Sequence, residues 1–256
     1  MKKGWHGVDA VLFDLANTLV NFSSLKVAAI LTEGAQDTYA HLQQLGVPLP
    51  AFRRYRLAHA RAFKQKYVCS AIRGRDFDFT QIMIQVLRRF HIIVPDNRYR
   101  TLAWMWYRPA AMRSYVQADV GSTLEQLKNQ GIKLAIVSNT CVPPHCLDQH
   151  LEWVNLLQYF PIRVYSSTTL YRTPHRKIFD VALDQLGVAP GRAIFVGDQL
   201  QTDIRGARRV GMRTIWMPAS PRTRTTRRRR ADFVIRRIAD VPRLLPEVRF
   251  MNWRSA

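Results

Sequence analysis

Cysteine is scarce in this sequence. Three residues, Cys69, Cys141 and Cys146, are spread over 256 positions, too few for a disulfide framework, so a reducing, cytoplasmic setting is expected. Cys141 and Cys146 flank His145, but no fourth ligand stands at a matching spacing, so a structural zinc site is not expected there. Long apolar runs are also missing. No stretch of about 18 uncharged apolar residues occurs, so a membrane-spanning helix is not expected. The run 8–20 that follows Lys2 and Lys3 carries Asp9 and Asp14, which argues against a signal peptide. Acidic residues are the third shortage: 18 Asp and Glu stand against 39 Lys and Arg, for a net charge of +21. Such an imbalance favours an anionic partner, whether nucleic acid, an acidic protein surface, an anionic membrane or a phosphorylated substrate. No helix-turn-helix, zinc-finger or RNA-binding aromatic signature accompanies it, so any nucleic-acid binding would be electrostatic and weakly specific.

What is present is ordinary for a folded chain. Hydrophobic residues make up 47% and charged residues 22%, which excludes disordered and collagen-like classes. The length suits one large domain or a domain with an insertion. Short apolar runs at 11–13, 132–137, 193–196 and 213–217 read as buried parallel strands, three of them ending in polar loops. Helical patterns at 122–130 and 177–186 lie between them, with Gly131 and Gly187 placed where helices stop. This alternation predicts an α/β fold with a doubly wound parallel sheet, whose ligands bind beyond the carboxyl ends of the strands. Residues 23–115 read differently, with helical periodicity at 27–45, 51–68, 79–90 and 97–107 and no convincing strand. They are expected to form a helical cap inserted into a core made of 1–22 and 116–256, lying as a lid over the strand ends. The segment 221–230, PRTRTTRRRR, is expected to be an exposed loop.

Three strand ends deliver Asp14, then Ser138, then Asp198 with Asp203 five residues on. The segment Phe13-Asp14-Leu15-Ala16-Asn17-Thr18, the strand end Val137-Ser138-Asn139, and Gly197-Asp198 followed by Asp203 resemble, in this order, the first, second and fourth motifs of the haloacid dehalogenase (HAD) superfamily of phosphohydrolases. The resemblance covers about residues 8–22 and 116–245. It implies a Rossmannoid, HAD-like fold, and a Mg²⁺ ion held by Asp14, the backbone carbonyl of Ala16 and Asp198, with Asp203 supporting the metal shell. It also implies that Asp14 is the nucleophile, that Ser138 and Asn139 belong to the catalytic group, and that Ser138 and the backbone amides after Asp14 hydrogen-bond the phosphoryl oxygens. Thr18 is a further phosphate-binding candidate. Read from the residues alone, two aspartates at neighbouring strand ends repel unless a hard cation sits between them.

Two positions depart from the family pattern. Ala16 stands where phosphatases of the family carry the acid that protonates the leaving group and activates water. Thr173 stands where the third motif supplies a lysine, just before Pro174. General acid-base catalysis is worth roughly 10² to 10⁴ in rate and an electrostatic clamp about 10² to 10³, so losing both independently costs roughly 10⁴ to 10⁷. Arg172 or Arg176 is the candidate replacement for the lysine charge. A substrate with a good leaving group, such as an acyl phosphate, needs no acid. Alanine at this position also resembles the phosphonoacetaldehyde hydrolase branch, whose cap carries a Schiff-base lysine, and Lys64 and Lys66 are the lysines in the middle of the cap.

The cap holds 15 Lys and Arg against 5 Asp and Glu. Arg53, Arg54, Arg56 and Arg61 interleave with Phe52, Tyr55, Phe63 and Tyr67, which reads either as an anion-binding face or as aromatics packing inward beneath a solvated basic face. Arg73 and Arg75 flank Gly74 between two helices, where a lid loop would meet substrate. Two functions follow. One is a Mg²⁺-dependent hydrolase of a small phosphorylated substrate, slow or unusual in its leaving group. The other is a catalytically impaired member of the fold that works as a basic binding protein, for example on RNA.

Overall fold

The computed structural model describes residues 7–22, 27–219 and 231–245. Its centre is a six-stranded parallel sheet in the order β3-β2-β1-β4-β5-β6. The strands are β1 (Ala10–Phe13), β2 (Lys133–Ser138), β3 (Ile162–Tyr165), β4 (Ala193–Gly197), β5 (Arg213–Trp216) and β6 (Phe233–Val234). All four residues of β1 are buried, as expected for a strand with neighbours on both edges and layers on both faces. Leu12 aligns with Ala135 on one side and with Phe195 on the other. The chain builds outward from β1 through β2 to β3, then returns to the other side for β4, β5 and β6. The strand order therefore reverses at β1, the place where open α/β sheets form a binding crevice.

Alternation along the strands divides the core in two. Val11 and Phe13 of β1 face one side, with Ile136, Ile194 and Val196. Ala10 and Leu12 face the other, against Ile178, Phe179, Ala182 and Leu183. These last four belong to a helix of the sheet's second face, Arg176–Leu186, which ends at left-handed Gly187. Two strands, β3 and β6, escape the sequence reading. In β3, Arg163 breaks the apolar run, and its guanidinium is neutralised by Asp148 at 2.8 Å. β6 is only two residues long.

Between β1 and β2 come α1 (Val27–Gln44), α2 (Phe52–Arg73), α3 (Phe79–Arg89), α4 (Arg98–Arg113) and α5 (Val120–Asn129). Chain exit and return around α1–α4 are tied by two backbone hydrogen bonds between Asn21 and Tyr115, at 2.8 and 3.2 Å. α2 runs five residues beyond the expected end and stops at left-handed Gly74. α4 runs through Pro109, which removes one helical hydrogen bond. Packing outweighs that loss: Ala110 and Ala111 are buried, and Arg108 and Arg113 pair with Asp37 and Glu33 of α1. Gly34 lets α1 and α4 approach, because a Cβ there would lie 2.5 Å from the Trp106 carbonyl oxygen. Among the described residues, no helix is long and apolar enough to cross a membrane. The arginine-rich segment 221–230 lies outside the described residues.

Candidate active site at the carboxyl ends of the central strands

Asp14, Ser138 and Asp198 stand at the ends of β1, β2 and β4, three adjacent strands at the reversal point. The Ser138 hydroxyl donates to Asp14 Oδ1 at 2.8 Å, with both residues buried. Past Asp14 the chain turns sharply. The Leu15 carbonyl accepts from the amides of Leu19 and Val20, and Asn17 adopts φ 60° while its side chain accepts from the Phe22 amide. Ala16 lies in this turn, bridged to Val20. Thr18 is buried there, and its hydroxyl has no protein partner among the described residues.

The fourth-motif segment contributes two carboxylates. After β4 the chain enters a π-helical turn, Leu200–Ile204, that swings Asp203 back over Gly197. A Cβ on Gly197 would lie 2.7 Å from Asp203 Cβ and Oδ2, so only glycine admits this return. Asp203 Oδ2 accepts from the Gln199 amide at 3.0 Å, and Oδ1 accepts from Thr202 and Thr173 hydroxyls at 3.1 and 3.4 Å. The Asp198 carbonyl is held by the Trp216 indole N–H at 2.8 Å. Carboxylate oxygens of Asp14, Asp198 and Asp203 lie within 4.8 Å of one another.

The electrostatics of this cluster are unbalanced. Burial, then the charges of Asp203 and Asp198, push the Asp14 carboxyl well above the usual range. Burial and the Asp203 charge raise Asp198 to about 7, and burial raises Asp203 to about 6. Desolvation and like-charge repulsion are the causes that raise them, and among the described residues no cationic side chain is named as a cause. Asp198 Oδ1 is buried without a protein hydrogen bond among the described residues. Three oxygen ligands with an orphaned acceptor and no counter-charge suit a hard divalent cation.

The other expected residues take different places. Asn139 does not face the carboxylates through a bond of its own. Its amide reads both the backbone and the hydroxyl of Thr173, at 2.8 and 2.7 Å, and Thr173 in turn reaches Asp203. Arg172, the nearest candidate for the lysine charge, is drawn off to Ser70 at 3.0 Å and to buried Asp76 at 3.8 Å. Arg176 pairs with Asp180 on the surface. Arg73 and Arg75 are exposed; Arg75 is bridged to Tyr171 and its guanidinium lies 5.7 Å from that ring's centre. Lys64 is exposed and Lys66 half-buried on α2. Burial pushes the Cys141 and Cys146 thiols up to about 12, so they are poor thiolate ligands.

Asp76 is the residue that sequence reasoning missed. It follows α2, is buried, and accepts from Ser70 and from Ser166, a residue of the core, at 3.3 and 2.7 Å. With the Asp76 amide on the Leu170 carbonyl and the Phe79 amide on the Cys141 carbonyl, it fastens the α2–α3 loop to the strand-end loops. Nothing in the local sequence distinguishes it from Asp78, which caps α3 by accepting from the Thr80 amide at 2.7 Å.

A profile of the haloacid dehalogenase-like hydrolases matches residues 8–211. The chain belongs to this family. Among solved structures, the HAD phosphatase from Thermococcus onnurineus superposes with a TM-score of 0.61 at 25% identity, covering 93% of this chain and 97% of that one. A curated relative, phosphoserine phosphatase of Thermus thermophilus, is 31% identical over 121 residues, 47% of each chain. Glyceraldehyde 3-phosphate phosphatase of Methanopyrus kandleri is 39% identical over 103 residues, 38% of this chain and 41% of that one. The matched segments thus span less than half the length of either curated relative.

Proposed function

We propose that this HAD-family chain is a Mg²⁺-dependent phosphohydrolase of small phosphorylated molecules, with Asp14 as nucleophile. The observation that carries the proposal is the buried carboxylate cluster at the sheet's reversal point, with Ser138 donating to Asp14 and, among the described residues, no cationic side chain among the causes that shift it. The similarity to phosphatases of T. thermophilus and M. kandleri supports the same reaction class. Asp14, Asp198, the Ala16 carbonyl and Asp203 would hold the ion, which when bound neutralises charge on the transferring phosphoryl group.

The chain's own residues supply the rest. One Asp14 oxygen attacks phosphorus while the bond to the leaving oxygen breaks, and that oxygen departs with the electron pair. Water then attacks the aspartyl-phosphate, freeing phosphate and regenerating the carboxylate. Ser138, Thr18 and the backbone amides of the turn after Asp14 orient the phosphoryl oxygens. Asn139 acts indirectly, fixing Thr173 against Asp203. Ala16 can neither protonate the leaving oxygen nor activate water, so the favoured substrates are those whose leaving group departs as a stable anion, acyl phosphates above alkyl esters. Helices α1–α4 act as the lid, fastened by Asp76.

The test is hydrolysis of phosphate esters and acyl phosphates with Mg²⁺ by the wild-type chain and by Asp14→Asn. At least about a thousandfold loss is expected in the variant. Equal rates for the two chains on every substrate would remove the enzyme reading and leave a basic binding protein. Two of the interleaved cap aromatics pack inward, which weighs against a nucleic-acid stacking surface: Tyr55 is fully buried and Phe63 packs against Phe77, Phe79 and Trp106, while Tyr67 stays exposed.

A further inference from the structure

Two cations meet on one tyrosine at the seam between the helical insertion and the core, and the proposed reaction uses neither. Tyr171 lies in the core segment that leads to Thr173, and its backbone is bridged to that of Arg75, just past α2. The Arg75 guanidinium carbon stands 5.7 Å from the Tyr171 ring centre. Lys177, in the first turn of the helix Arg176–Leu186, places its Nζ 4.7 Å from the same centre and donates to the phenol oxygen at 3.1 Å. Both cationic residues are exposed. His175 stacks on the ring at 4.6 Å between centroids, and its Nδ1 is taken by the Lys177 amide. Lys177 first, and Arg75 after it, hold the phenol below its usual range.

No carboxylate balances this pair: neither Arg75 nor Lys177 joins an ion pair among the described residues. The adjacent Asp76 turns its oxygens to Ser70, Ser166 and Arg172, and Asp180 is paired with Arg176. One phenol oxygen leaves most of the donors of an ammonium and a guanidinium open to solvent. Two like charges drawn to one ring also repel each other, and the ring's quadrupole offsets that only in part. An anion between them removes the repulsion and fills the open donors.

The pair stands close to the carboxylate cluster. Tyr171 and Thr173 are two positions apart, a span of at most about 7 Å, and the Thr173 hydroxyl reaches Asp203 Oδ1 at 3.4 Å. On the insertion side, Asp76 follows Arg75 directly and accepts from Ser166, whose oxygen accepts from the amide of Thr140, two positions past Ser138. We infer that Arg75 and Lys177 together seat a second anionic group of the substrate, a carboxylate or phosphate carried on the leaving group a few bonds from the transferred phosphoryl. The identity of the ligand as substrate rests on the phosphohydrolase reading; the anion seat does not.

The test compares phenyl phosphate, 4-carboxyphenyl phosphate and 1,4-phenylene bisphosphate, which share a phenolic leaving group and differ in the second anion. With Mg²⁺ and the wild-type chain, KM is expected to be at least about tenfold lower for one or both doubly anionic substrates than for phenyl phosphate, with kcat within about threefold. Which of the two gains more distinguishes carboxylate from phosphate. In Lys177→Gln and in Arg75→Gln the KM ratio is expected to shrink at least about fivefold, whereas a purely structural seam moves KM for all three substrates together. Binding is read separately from the Tyr171 ring resonances, assigned with Tyr171→Phe, while the phosphonate counterparts of the three compounds, which have no ester bond to break, are titrated with Mg²⁺. A saturable shift is expected with a doubly anionic phosphonate. Failure to hydrolyse any of the three esters counts against the reading at Asp14, and absence of a saturable ring shift overturns the seat whether or not turnover is seen. Equal KM for the three substrates, or a ratio unchanged in both variants, overturns it as well.

Discussion

Ala16 sits two residues beyond the proposed nucleophile in a turn whose backbone is fully committed, with Asn17 at φ 60° and Leu15 accepting twice. A side chain can therefore be changed there without redirecting the chain. Ala16→Asp is expected to raise the rate of Asp14 phosphorylation by alkyl phosphate esters by about 10² to 10⁴ and by acyl phosphates little, measured as the single-turnover burst on the two substrate classes, because hydrolysis of the aspartyl-phosphate is common to both. Equal stimulation of both would show that leaving-group protonation is not what limits the site. Thr173 offers the complementary case. Its hydroxyl bridges Asn139 and Asp203, which places a neutral donor where the resemblance expects an ammonium. The two departures remove one negative and one positive charge, so they offset each other in the charge of the site. Gly197 is the third informative residue. Gly197→Ala forces its Cβ against Asp203, and the rise in thermal stability on adding Mg²⁺ is expected to shrink or vanish, as read from Tm with and without the ion.

At the scale of elements, the central strands and the insertion obey different constraints. Strands β1, β2 and β4 are legible because a continuous apolar run bounded by polar residues has few other uses. The insertion's helices were legible in number and position but not in extent, since α4 continues through Pro109 and α2 reaches Arg73. Contacts decide both, and helical propensity by itself gave the shorter ends. The α1–α4 contact is the tightest dependence: Gly34→Ala sets a methyl 2.5 Å from a backbone oxygen, and is expected to cost about 1 to 3 kcal/mol, measured by urea unfolding. Arg172 shows the same lesson within the site. Sequence proximity to Thr173 suggested a replacement charge, whereas Asp76, nearly a hundred positions earlier in the chain, takes the guanidinium.

For the whole molecule, the buried histidines govern part of the response to acid. His150 joins the insertion to the core, with Tyr107 of α4 on Nδ1 and Ser114 on Nε2, each at 2.9 Å, and Phe22 against its ring. Burial lowers it to about 4 from an ordinary 6.5. The unfolded chain therefore binds its proton first, and the stability contributed by the neutral ring is full above pH 6.5 and lost as pH falls towards 4. The raised carboxyls of the active site act with the opposite slope, so the contribution is isolated by comparison with His150→Gln. Between pH 7.5 and 5 the wild-type chain is expected to lose about 2 kcal/mol more than the variant, from denaturant titrations at the two pH values. The net charge of +21 belongs to this scale too. Part of it lies in segments outside the described residues, and among the described residues no cationic side chain stands among the named causes of the carboxylate cluster's shifts.

The sequence by itself determined the α/β class, the three strand ends and the acidic residues they carry, because buried strands and strand-end turns are written in local patterns. Tertiary structure alone decided which groups meet. It brought Asp203 back over Gly197, turned Asn139 towards Thr173, drew Arg172 to Asp76 and set Arg75 and Lys177 on Tyr171. Those outcomes depend on the packing of segments distant in the chain, where the burial of a charge or a hydrogen-bonding group is settled by its neighbours in space.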